Sequence, residues 1–303
     1  MPLVYSSLKK LSEQNKTNGL LWVTLAYILA FGLGLAGGYW SELQGHHPLV
    51  VVAIADLIGT VVIFIISFLT KNSSFYDPYW SVIPPAIAIY FAFLGAEQGA
   101  DFWRIILLNS VIGFWAVRLT LNWVRSWEGL HHEDWRYIHL REQSGAFYWL
   151  VSFSGIHLFP TIMVYLACLP MYPALAIAGE AFGWIDILAF DAGIIGVLFE
   201  WIGDEQLYRF RQSNPSGKSI RVGLWKYTRH PNYFGEITVW LSMLLFGLAA
   251  NPSYYWTAVG YIAIWAMFRF ITLPMMEKRQ LKRRPDYQEI RDSVSVLFPW
   301  FPK

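Results

Sequence analysis

The run Leu49-Val-Val-Val-Ala-Ile-Ala-Asp-Leu-Ile-Gly-Thr-Val-Val-Ile-Phe-Ile-Ile-Ser-Phe-Leu-Thr70 holds twenty-two residues and a single charged side chain. An α-helix rises about 1.5 Å per residue, so about twenty apolar residues cross the roughly 30 Å hydrocarbon core of a bilayer. Runs of this kind recur at 20–40, 49–70, 77–96, 104–122, 147–169, 184–204, 233–250 and 254–273. They predict an all-α, polytopic membrane protein with about seven to eight transmembrane helices. No linker or low-complexity tract breaks the chain, so one domain is expected over 1–303. The first nineteen residues are polar, and the first apolar run is too long for the core of a signal peptide. Composition agrees: of 303 residues, 55% are hydrophobic and 15% charged, against about 25% charged in an average soluble protein. That balance excludes a disordered or nucleic-acid-binding protein. Cys168 is the only cysteine, which excludes an intramolecular disulfide and a cysteine metal cluster. A net charge of +2 is too small to point to a partner.

The basic residues give an orientation. With the N-terminus in the cytoplasm, segments 1–19, 70–76, 123–146, 205–232 and 274–303 share that side and hold 20 of the 23 Lys and Arg residues. The opposite loops, 41–48, 97–103, 170–183 and 251–253, hold none. Cytoplasmic loops collect positive charge, so both termini and the chemistry are expected on the cytoplasmic side.

Some motifs read as structure. Gly32, Gly34 and Gly37 have the spacing of a dinucleotide fingerprint, but that fingerprint must follow a strand and open a helix. Within an apolar helix they are expected to let a neighbouring helix approach. Adjacent helical residues point about 100° apart, so His131-His132-Glu133-Asp134 is expected on a solvated loop helix rather than around a metal. His157 is expected to be a hydrogen-bonded interior histidine.

Ionisable groups within membrane segments are costly and mark functional candidates. Arg118, Asn122 and Arg125 lie on one face at the inner end of the fourth helix. Glu200, Asp204, Tyr208 and Arg211 make a second stripe. Arg269 and Glu277, two turns apart, make a third. Three polar stripes reaching one side predict a shared polar site. The richest segment is Gly223-Leu-Trp-Lys-Tyr-Thr-Arg-His-Pro-Asn-Tyr-Phe-Gly-Glu236, which runs straight into the seventh helix. Arg229 can grip phosphate bidentately. Lys226 adds charge, His230 and Asn232 hydrogen-bond, and Tyr227 and Tyr233 offer rings. Pro231 suits a first helical position, and a helix start supplies free N–H groups and a positive dipole end. Together these predict an anion and nucleotide site at the membrane surface.

Arg229-His-Pro-Asn-Tyr-Phe-Gly-Glu236 resembles the cofactor motif shared by steroid 5-alpha-reductases, sterol C14 reductases and isoprenylcysteine carboxyl methyltransferases. Glu277, Tyr287 and the stretch ending in Pro299 resemble the tail of the same group. Asp77-Pro-Tyr-Trp80, Trp115-Ala-Val-Arg118-Leu and Glu133-Asp-Trp-Arg-Tyr137 look like the bacterial, little-characterised branch of the steroid 5-alpha-reductase family. The similarity covers about residues 75–300. It implies a reductase using NADPH in a polar cavity at the cytoplasmic end, in a bacterial inner membrane. Carried over by position, it implies cofactor contacts at Asn122 and Arg125, Asp204 and Arg211, and Asn232 and Glu236, with Tyr227, Arg229, His230, Tyr233 and Glu277 beside them. The cofactor part would be about 118–303 and the substrate pocket about 20–120.

The expected reaction is hydride transfer from NADPH to the activated double bond of a hydrophobic substrate, such as a 3-oxo-4-ene steroid or lipid enone, entering from membrane lipid. Negative charge develops on the carbonyl oxygen, so an acid must hydrogen-bond it. Steroid 5-alpha-reductases carry a Gln-Glu pair and a downstream Tyr there. The comparable position here reads Tyr76-Asp77, which makes Asp77 the expected acid with Tyr76 helping. Asp77 directly before Pro78 could instead cap the third helix. Two alternatives stand beside this reading: an S-adenosylmethionine-dependent methyltransferase, and a non-enzymatic lipid-binding or transport protein.

Overall fold

The structure is a computed structural model that describes residues 2–213 and 217–303, with side chains described from Lys16 onward. Of the chain, 81% is helical, and no strand occurs among the described residues. Seven of the described helical segments are long and apolar enough to cross a membrane: Lys16–Leu43, Pro48–Thr70, Ser73–Gln98, Phe102–Ser126, Trp135–Cys168, Pro231–Ala250 and Pro252–Arg283. The chain is an all-α polytopic membrane protein. The remaining expected span, 184–204, is the helix Trp184–Ser213. Asp186, Asp191, Glu200 and Asp204 lower its apolar character, yet Trp184, Ile187, Leu188, Ile195, Trp201 and Ile202 turn outward.

The chain forms two compact units. The first comprises Met1–Ile87 and Leu119–Tyr165. Here Pro2–Leu43 turns at Gly45, whose φ is +74°, and returns as Pro48–Thr70. The His47 ring accepts from Leu49 N at 3.2 Å to start the second helix. A Cβ on Gly34 would lie 2.9 Å from Ala55 O, and one on Gly37 would collide with Ile58. These glycines bring the two helices together, as expected of small residues between membrane helices. Lys71 ends the second helix in the left-handed conformation, at φ 55°. Asn72 then caps a short 3₁₀ turn, Ser73–Tyr76. Val23, Tyr27, Ile63, Phe75, Tyr76, Tyr79 and Trp127 are buried together around it.

One expectation is corrected in this unit. Residues 131–134 form no helix. His131 lies in a turn, and Asn72 Nδ2 donates to Leu130 O and His132 O at 2.8 and 3.1 Å. Glu133 accepts from Ser73 N and Arg141 Nη2, each at 2.8 Å. Asp134 caps the next helix by accepting from Arg136 N at 2.8 Å. Capture by these long-range partners outweighs the local helical tendency. His157 is fully buried, between Ser152 O at 2.9 Å and Ser67 Oγ at 3.1 Å.

The second unit comprises Ala88–Arg118 and Leu166–Lys303. Its helices Trp184–Ser213 and Pro231–Ala250 meet at Gly196 and Gly235. A Cβ on Gly196 would lie 2.8 Å from Gly235 O, and one on Gly235 2.5 Å from Gly196 O. Beyond that contact, Ser242 Oγ donates to Ala189 O at 2.6 Å. Arg104 and Asp186 are buried as a bidentate pair, Nε to Oδ1 at 2.7 Å and Nη2 to Oδ2 at 2.9 Å. Arg104 Nη1 also donates to Glu180 O at 2.9 Å.

Removing one partner of such a pair strands a buried charge, at a cost of about 3–5 kcal/mol. Asp186→Ala should lower the apparent melting temperature in detergent sharply, and Arg104→Met/Asp186→Leu should recover most of the loss. An Asp186→Ala protein that melts with the wild type would show that the pair contributes nothing.

Candidate functional site

The segment before the Pro231–Ala250 helix is held in place from several sides. Gly223 takes φ +58°, beside Gln206, whose Oε1 accepts from Leu224 N at 2.9 Å. Trp225 is buried and donates to Gly203 O at 2.9 Å. The C-terminal residues clamp the other side: Thr228 Oγ1 donates to Leu297 O at 2.8 Å, and Arg229 N to Ser295 O at 2.9 Å. Pro231 opens the helix with His230 immediately before it.

Beside this helix start lies a cavity of about 240 Å³. Six residues singled out from the sequence line it: Asp204, Arg211, Arg229, His230, Asn232 and Tyr233. Gln280, Arg284 and Tyr287 line it as well. Burial, and then Arg284 beside it, pull the Arg211 guanidinium below its usual pKa. Burial also lowers Arg284, against the pull of Asp286. Two guanidiniums crowded in a partly dry cavity are relieved by an anion, and the helix start adds N–H groups and dipole to the same attraction.

Glu277 organises one wall. Its Oε1 accepts from Tyr287 at 2.5 Å and from His230 Nε2 at 2.8 Å, and Arg229 Nε pairs with it at 3.3 Å. Burial depresses the His230 pKa, with the bond to Glu277 opposing. A neutral ring that carries its proton on Nε2 fits that bond. Burial and the Glu277 carboxylate both push the Tyr287 phenol up, so it stays a donor. Tyr233 packs on the His230 ring, with centroids 5.5 Å apart.

A second polar chain runs beneath. Arg118 pairs with Glu200 and with Asp204 Oδ2 at 2.9 Å. Asn232 Nδ2 donates to Asp204 Oδ1 at 3.3 Å. Glu236, one turn beyond Asn232, does not line the cavity. Its two carboxylate oxygens accept the indole N–H groups of Trp115 and Trp240, at 3.0 and 2.9 Å. Tyr227 also stands apart, with its ring 6.0 Å from Phe301. Arg269 is exposed, 5.7 Å from the Phe270 ring, and is not among the partners that hold Glu277, which are Tyr287, His230 and Arg229.

In the first unit, Arg125 Nη2 donates to Asn122 Oδ1 at 3.1 Å. Tyr76 and Asp77 take different partners. The Tyr76 hydroxyl is bonded to Thr161 Oγ1 at 2.7 Å, and Asp77 Oδ1 accepts from the Tyr137 phenol at 2.6 Å. The segments Asp77–Trp80 and Glu133–Tyr137, far apart in sequence, thus meet in space. Sequence reasoning passed over Asp56. It is buried on the Pro48–Thr70 helix, and its Oδ1 accepts from the Tyr79 phenol at 2.8 Å. No described donor reaches its Oδ2. The signal was available, because Asp56 is the one charge in the most apolar run of the chain.

Residues 63–294 match the family described as "Protein of unknown function (DUF1295)". The chain belongs to that family, which is steroid 5-alpha-reductase-like. It is 27% identical over 325 residues to an uncharacterised protein of Schizosaccharomyces pombe, covering 99% of this chain and 93% of that protein. No solved structure matches it.

Asn232 and Glu236 separate by experiment. Glu236→Ala orphans two buried indole donors, at about 1–3 kcal/mol each, and should lower the melting temperature clearly. Asn232→Ala should leave it nearly unchanged, because Asn232 is only partly buried and its partner Asp204 keeps Arg118. Equal melting of the two variants would remove the distinction.

Proposed function

We propose that this protein is a membrane-embedded, NADPH-dependent reductase that passes hydride to the activated carbon–carbon double bond of a hydrophobic substrate, a 3-oxo-4-ene steroid or similar lipid enone. The observation that carries this reading is the cationic cavity at the start of the Pro231–Ala250 helix. Arg211, Arg229 and Arg284 converge there with His230, Asn232 and Tyr233, within the motif whose resemblance suggested the cofactor. The crowded guanidiniums suit a phosphate-bearing ligand. At about 240 Å³ the cavity is smaller than the roughly 300–1,000 Å³ of small-molecule sites, so it suits a phosphate-bearing part of the dinucleotide rather than all of it. NADPH, when bound, supplies the hydride. The distribution of basic residues supports a cytoplasmic cavity and cytoplasmic termini, and the resemblance of the middle motifs supports a bacterial inner membrane.

The carbonyl oxygen of an enone needs a proton donor as hydride arrives. The first unit holds two buried carboxyls. Asp77 accepts from the Tyr137 phenol and also from the Ser74 hydroxyl, and the hydroxyl of its neighbour Tyr76 is engaged by Thr161. Asp56 accepts from Tyr79 on Oδ1, and no described group takes its Oδ2. Tyr76 stacks on Tyr79, with centroids 5.0 Å apart. This arrangement supports Asp56, backed by Tyr79, as the donor in preference to Asp77.

A ligand that binds only the native state raises apparent stability. NADPH should therefore raise the melting temperature of the purified protein far more than NADH or S-adenosylmethionine does. A larger rise with S-adenosylmethionine would replace the reductase with a methyltransferase.

The donor is tested by Asp56→Asn and Asp77→Asn, assayed on a 3-oxo-4-ene steroid. Asp56→Asn should keep its stabilisation by NADPH and lose about 10²–10⁴-fold in turnover, the usual worth of a positioned acid. Asp77→Asn should turn over within a few-fold of the wild type. The opposite pattern would return the role to Asp77.

A further inference from the structure

The last residues of the chain carry an unusual surface. Phe298, Trp300 and Phe301 are 61%, 73% and 77% exposed, outside every membrane-spanning segment. Three large aromatic rings within four residues form an apolar patch that water does not favour. The rings do not hang on a loose end. Trp300 N donates to Tyr227 O, and Lys303 N to Ser293 O, both at 2.9 Å. Thr228 Oγ1 reaches back to Leu297 O at 2.8 Å. The backbone is therefore pinned in a form that points the rings outward.

We propose that Phe298, Trp300 and Phe301 form an interfacial anchor that lies in the headgroup region of the bilayer. Continuity with the membrane-spanning surface carries the argument. Phe298 packs edge-on against Phe234, with centroids 6.0 Å apart, and Phe234 lies in the first turn of the Pro231–Ala250 span. Phe301 meets Tyr227, just before that span, in the same way at 6.0 Å. The patch is thus continuous with the point where that helix enters the membrane. Aromatic residues favour this depth.

Charge supports the same occupant. Lys226 Nζ stands 5.8 Å from the Tyr227 ring. Arg291 and Lys303 line one hollow with Trp300 and Phe301, and among the described residues Asp292 is the one acidic side chain that lines it. The Asp292 carboxylate is held by Gln288 at 2.9 and 3.0 Å, and Arg291 and Lys303 outnumber it in the hollow. Each basic residue near such a surface contributes about 1 kcal/mol. The anchor also holds the cavity rim, because the same tail accepts from Arg229 N through Ser295 O.

A spin label at position 302 tests the proposal. Cys168 is the only cysteine, so Pro302→Cys is made in a Cys168→Ala background, with Cys168→Ser as a second background should the first fail to fold. The full-length protein is placed in nanodiscs of phosphatidylcholine with phosphatidylserine. Power saturation is then read with oxygen, which favours lipid, and with a nickel chelate, which stays in water. The label should report oxygen-rich surroundings about 5–10 Å into the headgroup and acyl boundary. Adding Phe298→Ser, Trp300→Ser and Phe301→Ser should move it into water. Full access to the nickel chelate with the aromatic residues intact would overturn the anchor. Protection from both reagents would also overturn it, because the patch would then be covered by protein.

Discussion

A charge carried into a membrane protein must meet its counter-charge inside the protein or give up its charge. The bilayer offers no water, and an ion stranded in low dielectric costs several kcal/mol. The polar chain Glu200–Arg118–Asp204–Asn232 is the clearest result of that constraint. Arg118 is almost wholly buried, and its two acids come one turn apart from the Trp184–Ser213 helix. Their pairing sets the rotation of that helix, puts its apolar residues outward, and leaves Asp204 Oδ1 to receive the Asn232 amide. The floor of the cavity therefore follows from neutralising one guanidinium.

Glu277 does for the wall what Asp204 does for the floor. One carboxylate oxygen gathers Tyr287, His230 and Arg229, which come from the C-terminal region and from the segment before the Pro231–Ala250 helix. With Glu277 committed to these three, the positive charge of Arg211 and Arg284 is left facing the cavity. The proposed affinity for an anion thus rests on where the acids are spent, beyond the plain number of basic residues. The proposed chemistry rests on this distribution of charge and on the resemblance of the motif.

The sequence by itself determined the membrane architecture. Twenty apolar residues have one low-energy way to satisfy their backbone in lipid, so the runs at 20–40, 49–70 and 233–250 become helices wherever they sit. It also marked Asp204, Arg211, Arg229, His230, Asn232 and Tyr233, because polar groups stand out against an apolar background and helical spacing puts them on shared faces. Tertiary structure decided how the polar groups are partnered. Glu236 has the same spacing from Asn232 as any cavity pair, yet two indoles from different helices take its carboxylate. His131–Asp134 has the composition of a loop helix, yet Asn72, Ser73 and Arg141 draw it into an irregular path. Asp56 looks like a lone charge in a greasy run until Tyr79 is found beside it. The physical reason is one of range. Hydrophobic periodicity is a local property, whereas a buried polar group is defined by a partner tens of residues away, and only the fold brings the two within 3 Å.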